Sequence, residues 1–293
     1  MINNKNSFQN ILDKLKSFWI KNVNSIRIES YDIEVGAGTS HPMTFLWSLK
    51  DIPISFIYIQ KSRRPCDSIK NNINFDRLYS HFQFQVIIRP IPNNIQELYI
   101  KSLKYIGINL KIHDIKFIED NWENTTLSSW GIGWEVQLDT VEITQFTYFQ
   151  QVGGINCKPI IEITYGLERI LMFIQNLNNI YELIWDINKS GKCIKYKDIF
   201  YYNEIEYSLY NYKYSNINLI FNRFIEYKNE AEYLLINSPL IIPTYEAILK
   251  SIHNFNILDS KKIFSFFEKE FYILEIQKLS KKLANKYVNN INF

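Results

Sequence analysis

The stretch EITYGLERILMF, residues 162–173, decides the reading of the fold. Leu167, Ile170, Leu171, Ile174 and Leu177 recur at helical spacing, so a helix begins near Gly166. Its first turn carries Glu168 and Arg169. The start of a helix bears partial positive charge, so a cation there is mildly unfavourable unless an anion joins it. Arg169 is either a solvated surface residue or the receiver of something negative.

Upstream, VEITQFTYFQQV (141–152) and WEVQL (134–138) read as two strands feeding that helix. Alternate side chains of a strand point to opposite faces, which places Glu142, Thr144, Phe146, Tyr148 and Gln150 together. PISFIYIQ (53–60) and YSHFQFQVIIRP (79–90) are β-branched and aromatic and read as a hairpin. In its second strand His81, Gln83 and Gln85 share one side and Phe82, Phe84 and Val86 the other. Glutamine is an uncommon strand residue and needs partners when buried. The polar side is either an exposed sheet face or the floor of a polar ligand site. The hairpin is joined by KSRRPCDSIKNNINFDR (61–77), whose length suits a functional loop and which carries Arg63, Arg64, Asp67 and Arg77.

Around this sheet, FQNILDKLKSFWI (8–20) and NNIQELYIKSLKYIG (93–107) are amphipathic helices, the second stopped by Gly107, and KIHDIKFI (111–118) is a further strand. The expected class is α+β: an antiparallel sheet flanked by helices over residues 1–185, a polar linker at 186–198, and a helical domain at 199–293 whose helices are broken by SPLIIP.

Composition excludes several functions. Of the 293 residues 46% are apolar and 22% charged, as in folded globular proteins, and 33 basic against 30 acidic residues leave a net charge of +3, too weak to imply nucleic-acid binding. The three cysteines lack any C-x-x-C pairing, and the four histidines are scattered, so neither a disulfide framework nor a zinc site is expected. No apolar run approaches the roughly 20 residues that span a bilayer, and MINNKNSFQN lacks a signal-peptide core, so a cytoplasmic protein without membrane contact is expected.

SRRP followed by RLYSHFQFQV resembles motif 2 of class II aminoacyl-tRNA synthetases, and YGLER resembles their motif 3. The longer strings DIEVGAGTSHPMT, QFQVIIRPIPNNIQELYIKSL, IHDIKFIEDNWENTTLSSWGIGWEV and ITQFTYFQQVGG resemble the alpha chains of bacterial heterotetrameric (α2β2) glycyl-tRNA synthetases. That resemblance implies the class II fold and ATP-dependent activation of glycine for transfer to tRNA(Gly). It also implies an alpha–alpha homodimer, a beta chain that handles most of the tRNA, and Mg²⁺ accompanying ATP.

Carried onto this sequence, Arg63 or Arg64 would hold the α-phosphate, Arg63 being slightly preferred. Arg169 would stack on adenine and face the γ-phosphate, and His81 would lie under the base where relatives carry a larger aromatic. Glu142 would stand near the metal. Glu162 would bind the amino group of glycine, with Gln83, Gln85 and Trp122 as pocket walls, Trp122 being equally readable as a core residue. Thr39 and His41 would line the pocket or shape the dimer. A synthetase-like binding protein without catalysis would need a broken ATP site, and Arg63, Glu142, Glu162 and Arg169 are all present; a scaffold that merely organises the partner chain would bind it with Arg169 and Glu162 both dispensable.

Overall fold

The computed structural model describes residues 6–68 and 77–291; the middle of the hairpin loop, 69–76, lies outside them. In chain order the elements are α1 (Phe8–Val23), β1 (Ile26–Arg27), α2 (Pro42–Ser48), β2 (Ile54–Arg63), β3 (Ser80–Arg89), α3 (Ile95–Ile106), β4 (Ile115–Glu119), β5 (Trp122–Asn124), β6 (Ser129–Leu138), β7 (Val141–Val152) and β8 (Ile155–Gly166). Then follow α4 (Leu167–Gln175), β9 (Ile184–Ile187), β10 (Cys193–Lys195), α5 (Tyr196–Leu209), α6 (Ile217–Asn237), α7 (Ile242–Ser260) and α8 (Phe266–Ile291).

Eight strands form one sheet in the order β1-β2-β3-β8-β7-β6-β4, with β5 also on β6, and all pairings but the short β1–β2 one are antiparallel. The expected class is therefore the observed one. The register lines up Tyr58, Gln85, Thr164, Gln145 and Glu135 across five strands. Because side chains alternate, this row and its i±2 neighbours define one face of the sheet.

The opposite face packs on α1, α3 and α4 through residues such as Trp19, Phe84, Tyr99, Phe146, Tyr165 and Leu171. Tyr165 is fully buried, and its hydroxyl accepts from Trp19 Nε1 at 3.1 Å and meets Ser102 Oγ at 2.7 Å, which satisfies polar atoms that would otherwise be costly in that core. Ser7 caps α1 by accepting from Asn10 N, and Gly107, at φ 114°, closes α3 in the left-handed conformation that glycine adopts without penalty.

The row face is covered by α2 and the C-terminal helices. Phe56, Tyr58, Ile87, Phe149 and Ile160 from the sheet share one core with Phe224, Tyr245, Leu258 and Leu283. The boundary expected at 186–198 therefore does not separate two cores. That segment holds the end of β9, all of β10 and the start of α5, with Tyr196 fully buried in the first core. Its polar composition reflects a solvated β-turn in which Gly191 has φ 80°.

One expected alternation is corrected. Between β6 and β7 the register passes from Val136↔Thr144 to Gln137↔Glu142, leaving Ile143 as an extra residue. Such a bulge reverses which face the following side chains meet. Phe146 is consequently buried in the first core, while Gln145 and Thr147, in the rows of Thr164 and Glu162, take the polar face. Glu142, before the bulge, still reaches that side.

Candidate active site

Beside the covered part of the row face, a cleft of about 480 Å³ opens at the ends of β3, β7 and β8. Its lining includes Thr39, Arg64, Asp67, Arg77, His81, Gln83, Asp120, Trp122, Glu142, Gln145, Thr164 and Arg169. The volume is typical of small-molecule sites.

At one end stand cations. Arg169, in the first turn of α4, bonds through Nη1 to both the carbonyl and Oε2 of Glu142, each at 2.9 Å, and about a third of its side chain stays exposed. Arg64 lies just past β2 and is fixed by Nε donating to Gly36 O at 2.9 Å. Arg63 does not reach the cleft: it ends β2 one residue out of phase with Ser62, pairs with Glu34 at 3.0 Å and lies over the ring of Tyr207. Of the two arginines it is Arg64 that the fold brings to the site. Arg77 and Asp67 also line it and pair with each other at 3.5 Å. Burial, then the neighbouring charges of Arg64 and Arg169, holds His81 down to about 3, so its ring is neutral at ordinary pH.

The other end is built by the segment 36–41. Gly38 begins a short 3₁₀ turn, and its N–H donates to Gln83 Oε1 at 2.7 Å, as does Ser62 Oγ. A Cβ on Gly38 would stand 2.0 Å from Gln85 Nε2, so any side chain there would have to push the buried Gln85 aside. Thr39, presented by that turn, lines the cleft and donates from Oγ1 to Glu162 Oε2 at 2.6 Å.

Glu162 is 1% exposed, and burial pushes its carboxyl up to about 7. Its Oε1 has no hydrogen-bond partner, nor has Nε2 of Gln85, whose Oε1 accepts from Thr164 at 2.7 Å. Buried atoms left unsatisfied are rare and point to a missing partner. Glu162 and Gln85 thus lie one layer beneath the cleft surface, whereas Gln83, Thr39 and Trp122 are on it. Trp122 packs edge-on against Phe149 at 5.5 Å and also walls a small hollow behind Thr39, so it serves both core and cleft.

His41 does not line the cleft. It caps α2, Nδ1 accepting from Met43 N and Nε2 facing Glu29 O, and burial lowers its basicity. Glu168 does border the cleft, but its buried Oε1 is taken up within the fold, accepting from Phe82 N at 2.8 Å and from the Tyr196 hydroxyl at 3.0 Å.

Three polar lining residues had not been singled out. Thr164 follows Glu162 by two in a strand, so alternation alone places it beside the cleft; Gln145 was hidden by the bulge; and Asp120, in the turn before β5, carries no signal in the sequence. Among the described residues no cluster of three or more His, Cys, Asp or Glu surrounds a metal position. Mg²⁺ binds through one or two carboxylates plus phosphate oxygens and water, and the Glu142 carboxylate at the cleft fits that need.

Two solved structures of a pyrrolysyl-tRNA synthetase from Desulfitobacterium hafniense are similar at 13% identity, with TM-scores of 0.42 and 0.43, covering 60% of this chain and 72% of theirs. The model of the glycyl-tRNA synthetase alpha subunit family matches residues 8–292, and the chain belongs to that family.

Proposed function

We propose that the cleft binds glycine and ATP side by side and forms glycyl-adenylate, the first half-reaction of a glycine–tRNA ligase. The observation that carries this reading is the polarity of the cleft: at one end Thr39, bonded to the buried Glu162 carboxylate just beneath the surface, and at the other the arginines Arg64 and Arg169. The ammonium of glycine is held at Thr39 Oγ1, which accepts from it while passing its own hydrogen to Glu162 Oε2, so the compensating charge lies one hydrogen bond away. Trp122 and Gln83 close that end against a side chain. Excluding a larger substrate by bulk is easier than excluding a smaller one, so glycine needs no second, editing sieve.

The carboxylate oxygen of glycine then attacks the α-phosphorus. A new P–O bond forms, the bond to the bridging oxygen breaks, and pyrophosphate leaves with that electron pair. Negative charge accumulates on phosphate oxygens, so fixed cations supply most of the catalysis. Arg64, held by Gly36 O, faces the α-phosphate. Arg169 meets the far phosphates with a planar group that also stacks on a base, which lysine cannot do. The neutral His81 ring lies under the adenine. Glu142 would hold Mg²⁺, which when bound neutralises the leaving pyrophosphate.

A family of alpha subunits implies a companion beta chain and tRNA as the second substrate; dimerisation of the alpha chain through its sheet-bearing half is part of this proposal. Glycine-dependent exchange of pyrophosphate into ATP, measured with the beta chain present, tests the reading. Arg169→Ala is expected to lose about 10²–10³-fold in kcat. Exchange at the wild-type rate would remove Arg169 from the reaction.

A further inference from the structure

Helix α5 and the single π-helical turn that follows it, Tyr210–Tyr214, lie outside the cleft yet touch both arms of the hairpin that carries Arg64 and His81. On the return arm, Glu204 is 1% exposed and its two carboxylate oxygens accept separately from Tyr79 N at 2.8 Å and Ser80 N at 2.9 Å. On the outgoing arm, Asn211, also 1% exposed, donates to Ser68 Oγ at 2.9 Å, and the Tyr212 hydroxyl reaches the carbonyls of Pro65 and Cys66 at 3.2 and 3.1 Å. Between them Tyr207 stacks on Tyr79 at 4.8 Å, with the Arg63 guanidinium 5.6 Å from its ring. Residues 204, 207, 211 and 212 follow the i, i+3, i+7, i+8 pattern of one helix face. The wider π turn sets Asn211 and Tyr212 against the loop, and such turns recur at functional sites.

The main-chain groups of residues 65–66 and 79–80 in the two arms are bound by side chains of a different element. Arg64 and His81 each sit within one residue of a clamped position. We infer that α5 and its π turn are a positioning clamp for this hairpin, Glu204 and Asn211 being positioning residues that set where Arg64 and His81 meet the nucleotide. This rests on the reading of the hairpin as the ATP-binding element.

Two measurements separate the clamp from that reading. The first is amide hydrogen exchange in the full chain with Glu204→Ala, Glu204→Gln and Asn211→Ala. Amides at 79 and 80 are expected to exchange at least tenfold faster in Glu204→Ala, and less so in Glu204→Gln, which keeps one acceptor oxygen, while those of 161–165 in mid-sheet stay protected. Unchanged protection at 79–80, or equal loss across the sheet, would overturn the clamp. The second is pyrophosphate exchange with the beta chain present. Glu204→Ala and Asn211→Ala are expected to raise KM for ATP about tenfold with KM for glycine within twofold of wild type, Glu204→Gln recovering part of the loss. An unchanged KM for ATP, or a parallel rise in both, would overturn the positioning role. Wild-type protein lacking any ATP-dependent exchange would instead overturn the reading of the site, and the amide exchange alone would decide the clamp.

Discussion

In the proposed reaction Glu162 joins a stability problem to a binding function. A carboxylate lifted to about 7 by burial is partly protonated in the free protein near neutrality. Holding an ammonium requires the ionised form, so each pH unit below about 7 removes up to tenfold of the competent population. The expected outcome is a kcat/KM for glycine that falls below about pH 7, a limb that Glu162→Gln abolishes together with most of the activity; a pH–rate profile checks it. Gly38 is the companion test. An added methyl would displace Gln85, whose Cδ stands 2.7 Å from the new Cβ, and break its bond to Thr164. Gly38→Ala is expected to lower kcat/KM for glycine by at least about tenfold, on the order of 1.4 kcal/mol, and to leave KM for ATP nearly unchanged. Both positions were named or quoted in the sequence reading, but Arg64 was ranked behind Arg63. The adjacent arginines differ in strand phase, and phase becomes visible only once the register Ser62↔His81 is known.

Elements meet the site through their ends, and the start of β3 is tied from two sides by buried acids. Glu168 of α4 accepts from Phe82 N and the Tyr196 hydroxyl, and burial pushes its carboxyl up to about 7, as it does for Glu204. Glu168→Ala would leave two buried donors unsatisfied, which costs about 2–4 kcal/mol. Thermal unfolding followed by circular dichroism should show a midpoint lower by roughly 5–15 °C, with Glu168→Gln close to wild type. The sign of the pH dependence follows from the raised values. Between the unfolded carboxylate value and about 7 the folded state binds more protons than the unfolded one, so these acids favour folding at the acid end of that window and less as pH rises through it. Helix and strand types were legible from periodicity because burial of one face imposes the same spacing in any context. The bulge at Ile143 was not, since nothing in VEITQ distinguishes an extra residue from an ordinary strand position.

At the scale of the molecule, the C-terminal helices are half of the second core. Removing residues 199–293 would bare Phe56, Tyr58, Ile87, Phe149 and Ile160, all below 8% exposure in the whole chain. At about 1.5–3 kcal/mol for each buried side chain, that loss rivals the 5–15 kcal/mol by which domains are usually stable. A 1–198 fragment is therefore expected to aggregate or to unfold without a cooperative transition in urea; a transition near that of the full chain would restore the two-unit division. The same helices carry the contacts to the hairpin, so their removal would also release the loop that holds Arg64.

The sequence by itself determined the α+β class, the family, the helix start at Gly166 and the residue types on which the proposed reaction draws, because these depend on local spacing and on strings long enough to be specific. Tertiary structure alone decided which arginine faces the cleft, that Glu162 and Gln85 lie beneath its surface, that His41 is a cap, and that the helices after residue 198 complete the core under the site. Each of those depends on strand register and on which face a distant element covers, and neither is encoded within the reach of a neighbouring residue.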